Sequence, residues 1–185
     1  MVGTGSANKR EILNIITLEL IALVKEQYNL PWLGTHGIVH WSRVYDNGIK
    51  LAKQEDVNGR IVQLFSIFHD AGRTNEHWDR NHGKRGADLA RELRKYCALD
   101  DSEFDLLTIA CELHTQARTH DNLTVQACFD TDRLDLGRVG TVPDPDRLCT
   151  PLAMDPKTID WAYRKSIVDD KLPATPFGLK KYWNE

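Results

Sequence analysis

Apolar residues recur at helical spacing along most of the chain. The first example follows Lys9, where Ile12, Ile15, Ile16 and Leu20 are separated by polar residues. Residues three or four apart lie on one face of a helix, so this pattern is typical of an amphipathic helix packed on a core. The same spacing predicts further helices along the chain. The predicted helices cover approximately residues 9–28, 37–53, 58–70, 82–96, 104–114, 123–136 and 158–168.

The segments between these helices contain the residues that end helices. Pro31 and Gly34 follow the first helix, residues 71–81 and 115–122 are polar, and residues 142–146 are rich in proline. Thr35 or His36 is the expected cap of the second helix. No segment shows the strict alternation of a half-buried strand. The pattern therefore predicts an all-α fold.

The length of 185 residues suits one globular domain with a sizeable core. We expect a flexible N-terminus over residues 1–8 and a single helical domain over residues 9–170. Residues 171–185, which include Pro173, Pro176 and Gly178, are expected to form a tail that packs on the domain or extends from it.

Composition narrows the class of protein. The net charge of −3 and the pI of about 6.2 provide no positive field for long nucleic acid. The N-terminus lacks the basic-then-apolar order of a signal peptide, and the apolar stretches are too short for a bilayer. We therefore expect a cytoplasmic protein without membrane association, either a monomer or a homodimer. The cysteines lack the spacing of a zinc site or a disulfide framework; they are Cys97, Cys111, Cys128 and Cys149.

The most unusual chemistry lies in residues 65–90. An apolar run over residues 64–68 leads directly into the adjacent pair His69 and Asp70. Buried ionisable groups are costly, and they are normally paired or bound to a metal. The pair alone is weak evidence, so its meaning depends on partner ligands elsewhere in the chain.

Such partners fall on or near the ends of other predicted helices. His40 lies on the second helix, His82 opens the fourth, His114 closes the fifth and Asp132 lies on the sixth. Neutral imidazole suits Mn, Fe, Ni, Co or Zn, and a carboxylate can bridge two ions. Four histidines and two aspartates are enough to hold two divalent transition-metal ions with positions left for water and substrate.

Five segments of the chain resemble the HD-domain superfamily of metal-dependent phosphohydrolases in their residues and in their order along the chain. The resemblance implies a helical bundle of about six to eight helices. It also implies a minimal metal set of His40, His69, Asp70 and Asp132, extended in the two-metal branches by His82 and His114. The resembling segments are His40–Val44, Phe68–Arg73, His82–Ala87, Glu112–Thr115 and Thr131–Asp135.

Some ligand positions remain open at this point. His82 follows Asp70 by only twelve residues, so His77 competes with it, although the glycine beside His82 favours His82. Asp130 and Asp135 are rivals of Asp132. His36 shares a helical face with His40, so it either binds metal, orients a ligand or is exposed.

The resemblance implies hydrolysis of a phosphate ester by a metal-activated hydroxide, with Asp70 as the bridging ligand. The substrate is expected to be a nucleotide or another small phosphorylated molecule. Cationic side chains near the ligands would contact phosphoryl oxygens. The predicted contacts are Arg43, Arg73, Lys84 and Arg118.

Two other functions share this ligand order. The first is a mixed-valence di-iron oxygenase similar to myo-inositol oxygenase. The second is a metal-containing nucleotide-binding module without turnover. The arginines and lysine near the ligands favour the phosphohydrolase, because those side chains bind phosphate.

Overall fold

The computed structural model describes residues 12–168 and 175–179, and no strand occurs among them. The prediction of an all-α fold is confirmed. Residues 1–8, and the parts of the predicted tail at residues 171–174 and 180–185, lie outside the described residues. The α-helices are α1 Leu18–Gln27, α2 Ile38–Leu51, α3 Gly59–Phe68, α4 His82–Glu92, α5 Asp101–Leu113, α6 Leu123–Arg133, α7 Pro151–Met154 and α8 Pro156–Val168. Short 3₁₀ turns occupy Arg94–Tyr96, Leu136–Val139, Pro145–Arg147 and Pro176–Gly178.

Helices α2 and α3 form the centre of the bundle. Helix α2 packs against α3 and α6, α3 also contacts α5, and α4 lies along α5. Large side chains from these helices, including Trp41, Phe65, Phe68 and Phe129, are completely buried. Burial of this apolar area is the main stabilising contribution to the bundle. Among the described residues, no helix has both the length and the apolar character needed to cross a bilayer.

Side-chain caps fix where several helices begin. Asn58 accepts a hydrogen bond from the Arg60 N–H at the start of α3. At the start of α5, Asp100 and Glu103 form a reciprocal capping box. Helix α2 instead begins after Gly37 without a side-chain cap, so the prediction that Thr35 or His36 caps it is wrong.

The first helix is shorter than its apolar spacing predicts. It starts at Leu18, and residues 12–17 are not helical. The buried Gln63 side chain of α3 accepts from the Ile15 N–H at 2.9 Å and donates to the Leu13 carbonyl at 2.9 Å. These bonds hold the backbone of residues 13–15 against α3 in place of helical hydrogen bonds.

Other helix ends also differ from prediction. Helix α4 ends at Glu92 rather than near Tyr96, because the chain tightens into a 3₁₀ turn there. Helix α6 ends at Arg133, and a separate 3₁₀ turn follows it. The short helix α7 was not predicted, since four residues are too few to show helical periodicity.

Two glycines allow α4 to lie unusually close to its neighbours. A Cβ atom on Gly83 would lie 2.2 Å from the Cys111 carbonyl oxygen of α5. A Cβ atom on Gly86 would lie 2.1 Å from the Phe68 carbonyl oxygen of α3. Neither contact is sterically possible, so only glycine permits this approach. The approach brings the first residue of α4, His82, to the ends of α3 and α5.

Candidate metal centre

Five helix segments converge on one group of histidines and aspartates. Helix α2 contributes a histidine from its first turn, the end of α3 contributes the adjacent pair, and α4, α5 and α6 contribute one residue each. The structure therefore brings together all six residues predicted to bind metal. All except Asp132 are buried, and its side chain is 21% exposed. The six are His40, His69, Asp70, His82, His114 and Asp132.

Asp70 lies between two pairs of imidazoles. On one side, its Oδ2 atom is 3.6 Å from His40 Nε2 and 3.8 Å from His69 Nε2. On the other side, its Oδ1 atom is 3.1 Å from His82 Nε2 and 3.9 Å from His114 Nε2. Each carboxylate oxygen thus faces a different histidine pair, which is the arrangement required of a bridging carboxylate. Either side, together with Asp70, forms a compact three-ligand group.

Asp132 adds a second carboxylate to the side that contains His40. Its Oδ1 atom lies 3.4 Å from His40 Nε2 and 3.5 Å from a terminal guanidinium nitrogen of Arg138. This oxygen is buried and has no hydrogen-bond partner among the described residues. A buried carboxylate oxygen without a hydrogen bond is costly, and a bound cation would compensate that cost.

Each Nδ1 atom of the four histidines points away from the other ligands and has a hydrogen-bond partner there. Three of them face main-chain carbonyl oxygens, which only accept, so these Nδ1 atoms carry the proton. The fourth, in His40, faces a carboxylate oxygen of Asp135 at 2.7 Å. The carbonyl contacts are His69 to Phe65 at 3.1 Å, His82 to Asp79 at 2.5 Å and His114 to Cys111 at 2.7 Å.

With the proton on Nδ1, the Nε2 lone pairs point at one another. His40 Nε2 is 3.0 Å from His69 Nε2, and His82 Nε2 is 2.9 Å from His114 Nε2. Two lone pairs at this distance repel unless a cation or a proton lies between them. Imidazole nitrogens combined with carboxylate oxygens suit divalent transition metals. The donor set therefore fits such ions.

Burial favours the neutral imidazole, which ligation requires, at His40, His69 and His114. Desolvation lowers the pKa of His40 well below its usual value, with the Arg138 charge acting in the same direction. Desolvation also lowers the pKa of His69, and it lowers that of His114 to about 4. For Asp70, desolvation acts to raise the pKa, but His69, His82 and Arg73 outweigh it and hold that pKa well below its usual range.

The structure distinguishes the three aspartates near the end of α6. Asp132 points into the group, whereas Asp135 lies behind His40 and also accepts from Arg43 Nε at 2.6 Å. Asp130 faces away, and both of its oxygens accept from main-chain N–H groups of the segment after the Pro145–Arg147 turn. These N–H groups belong to Cys149 and Thr150, each at 2.8 Å, and the Thr150 hydroxyl also donates at 2.8 Å.

Replacing Asp130 with alanine should lower stability without removing metal. The change leaves the half-buried Cys149 N–H and the buried N–H and hydroxyl of Thr150 without their acceptor, and each buried group costs about 1–3 kcal/mol. Thermal unfolding followed by circular dichroism should show a clear fall in melting temperature. Metal content per folded chain should equal that of the unchanged protein. Loss of metal from a folded Asp130→Ala protein would contradict the assignment of Asp132 as the α6 ligand.

A cavity of about 840 Å³ opens above the group. Its floor includes Asp70, His82, His114 and Asp132, and one wall is formed by residues 136–148. The apolar part of that wall consists of Leu136, Val139, Val142, Pro143 and Leu148, and the rest consists of Arg138, Thr141, Asp144 and Arg147. The volume lies in the range typical of sites for small molecules. Five arginines also line it: Arg73, Arg118, Arg133, Arg138 and Arg147.

One solved structure with a matching fold is a predicted HD superfamily hydrolase from an uncultured Thermotogales bacterium. The two proteins are 24% identical, and the match covers 79% of this chain and 84% of that chain with a TM-score of 0.60. This chain has the HD-domain fold. The predicted HD-domain-like helical bundle is therefore confirmed. No protein-family model matches the chain, and no curated protein matches its sequence.

Within this HD-domain fold, the predicted cationic residues take different positions. Arg73 lines the cavity and donates from Nε to Asp70 Oδ1 at 2.9 Å, and Arg118 also lines the cavity. Arg43 is buried behind His40 against Asp135. Lys84 is 68% exposed on the outer face of α4, where it pairs with Asp88. Neither Arg43 nor Lys84 is among the residues that line the cavity, so phosphate contact by these two is not supported by their placement.

The structure also settles the position of two further histidines. His77, the competitor of His82, is exposed in the loop after Asp70. His36 is buried at the cavity, and its Nδ1 atom is 2.5 Å from Glu76 Oε2. Sequence reasoning left His36 without a partner, because Glu76 is forty residues away and no local pattern connects the two.

Arg138 is a cavity residue to which sequence reasoning gave no role in the site. It contacts both Asp132 and Asp135, and its buried Nε atom has no hydrogen-bond partner among the described residues. The one available signal was its position three residues after Asp135, which allows contact across a helical turn. That signal is common on protein surfaces and did not point to the site.

Proposed function

We propose that this protein is a metal-dependent phosphohydrolase that cleaves a phosphate ester of a small molecule, most suitably a nucleotide. The single observation that supports the proposal is the position of Asp70 at the floor of an arginine-lined cavity. Its two oxygens face two separate imidazole pairs, so this one carboxylate would be a ligand for either of two divalent ions. The HD-domain fold shared with a predicted hydrolase is consistent with this function at the level of fold.

Two divalent ions in this group would supply a water of lowered pKa and neutralise charge on the phosphoryl oxygens. The residues of the chain hold and orient the ligands. Arg73 fixes Asp70 through its Nε hydrogen bond, while its NH1 donates to the His77 carbonyl at 3.2 Å. These contacts anchor the loop after α3 to the bridging carboxylate, so the loop and the metal ligands form one rigid unit.

Arg138 and Arg118 are the proposed contacts of the phosphoryl group. Arg138 lines the cavity, and a terminal guanidinium nitrogen lies 3.5 Å from Asp132 Oδ1 at the floor. The Arg118 side chain lines the same cavity and makes no ion pair with any described residue. An arginine donates to phosphate through a forked pair of N–H groups, so both are suited to this role.

The shape of the cavity favours a substrate larger than phosphate and smaller than a polymer. Its volume greatly exceeds that of a phosphate group, and the apolar part of the wall over residues 136–148 suits a base or another flat organic body. The net charge of −3 disfavours long nucleic acid.

Three predictions from the sequence stay predictions. They are the absence of membrane partners, the cytoplasmic location, and a monomeric or homodimeric state.

Hydrolysis of a panel of nucleotides and simple phosphate esters tests the proposal, followed as inorganic phosphate released from monoesters and as alcohol released from diesters. Protein loaded with Mn²⁺, Co²⁺ or Zn²⁺ should hydrolyse at least one ester, and chelator-treated protein should hydrolyse none. Oxygen consumption by iron-loaded protein without ester hydrolysis would instead support the oxygenase. Nucleotide binding without any product would support the binding module.

A further inference from the structure

The four histidines of the candidate metal centre differ in the group that accepts a hydrogen bond from Nδ1, the ring nitrogen that points away from the centre. Three donate from Nδ1 to neutral main-chain carbonyls, and His40 alone donates to a carboxylate, Asp135. A carboxylate behind an imidazole fixes its tautomer and raises the donor strength of the opposite nitrogen more than a carbonyl does. The three that use carbonyls are His69, His82 and His114.

Asp135 is held rigidly in this position. Its side chain is 1% exposed. Arg43 donates from Nε to Oδ1 at 2.6 Å and from NH2 to Oδ2 at 3.2 Å, and Arg138 NH1 lies 3.8 Å from Oδ2. Both oxygens accept charged hydrogen bonds, so the group is a carboxylate that cannot rotate away from His40.

The two sides of the centre also differ in carboxylate content. The side with His40 and His69 has Asp70 and Asp132 in its inner group, with Asp135 behind it. On the opposite side, Asp70 is the one carboxylate that the described part of the chain places in the group. A site with more anionic ligands attracts a divalent cation more strongly, so the carboxylates are distributed unequally across Asp70. Arg138, 3.5 Å from Asp132, offsets part of that negative charge on the His40 side.

We propose that Asp135 is a positioning residue that makes the His40 side the high-affinity metal site of the pair. The His82 side then takes the second ion more weakly. This inference rests on the proposed metal-dependent function, because it concerns the order in which the same group fills. Asp135 acts through His40 and contacts neither substrate nor metal.

Titration of metal-free protein with Co²⁺ tests the proposal, followed by visible absorption and by calorimetry. The unchanged protein should bind in two steps of unequal affinity. Asp135→Asn keeps the volume and a hydrogen-bond acceptor but removes the charge. It should weaken the first step roughly ten- to a hundredfold and change its absorption band, while leaving the second step unaltered.

Glu76→Gln is the matched control. Glu76 also holds an imidazole at 2.5 Å, but that imidazole belongs to His36, which is not a proposed ligand. Both Co²⁺ steps should therefore be unaltered in Glu76→Gln. Equal weakening of both steps in Asp135→Asn, or no weakening at all, would overturn the proposal. Equal weakening of the first Co²⁺ step in Glu76→Gln would also overturn the proposal.

A second pair of variants tests the order of filling even if Asp135→Asn does not fold. His69→Ala and His114→Ala each remove one buried imidazole from opposite sides of Asp70. The tight Co²⁺ step should disappear in His69→Ala and persist in His114→Ala; the reverse result would overturn the inference. Two equal steps with ester hydrolysis intact would refute this inference alone, whereas no Co²⁺ binding by the unchanged protein would refute the proposed function.

Discussion

Replacing Asp70 with alanine will abolish hydrolysis and remove metal from both sides of the centre. Each oxygen of Asp70 faces one imidazole pair, so a single substitution removes a ligand from both sides at once. It also removes the acceptor that fixes Arg73. Metal content per chain should be measured by plasma mass spectrometry, on protein purified without added metal or chelator.

Near two ions per chain are expected in the unchanged protein, and near none in Asp70→Ala. Asp88→Ala is a suitable control, because Asp88 is a surface carboxylate of α4 that contacts only Lys84 and Arg91 among the described residues. It should retain both ions and full activity. An Asp70→Ala protein with full metal and full turnover would exclude the proposed centre. Near one ion in the unchanged protein would restrict the site to the His40 side.

The helices and the ligand types could be predicted because both depend on local patterns. Apolar spacing identifies a helix wherever one face is buried, and five of the six proposed ligands lie at or near a predicted helix end. His69 and Asp70 follow the apolar run of α3 directly, so their burial was predictable from that run alone.

The choice among Asp130, Asp132 and Asp135 could not be made from the sequence. They lie within two turns of α6 and the residues that follow it, and the sequence does not show which of them faces the other ligands. Their roles depend on distant partners. Asp130 is fixed by Thr150, and Asp135 by Arg43 and His40.

Tertiary packing also explains why the structure differs from the prediction at Lys84 and at the first helix. The inner face of α4 carries His82, Gly83 and Gly86, which leaves Lys84 on the outside against Asp88. The first helix loses its predicted N-terminal turns because Gln63 binds their backbone. The packing of α4 on α3 and α5 and the hydrogen bonds of Gln63 both join residues that are far apart in the sequence, so a pattern within one short segment does not predict them.

Replacing Gly86 with alanine will destabilise the bundle and disrupt the His82 side of the centre. The added methyl group would lie 2.1 Å from the Phe68 carbonyl and 3.2 Å from the His69 carbonyl. Both neighbours are main-chain atoms of the segment that carries Asp70, so the clash is relieved only if α4 moves. Overpacking of this kind costs about 1–3 kcal/mol, and the rigid neighbour places this site near the upper end. Urea unfolding measures the cost.

Gly48→Ala is the matched control, since Gly48 is also helical but its Cβ would meet Val62 side-chain atoms at 3.4 Å. That substitution should leave stability unchanged or raise it by up to about 1 kcal/mol through helix propensity. Movement of α4 in Gly86→Ala draws His82 away from Asp70 while His40 and His69 stay in place. The folded variant should therefore lose the ion on the His82 side and keep the other. A Gly86→Ala protein as stable and as metal-rich as Gly48→Ala would show that α4 does not depend on this close approach.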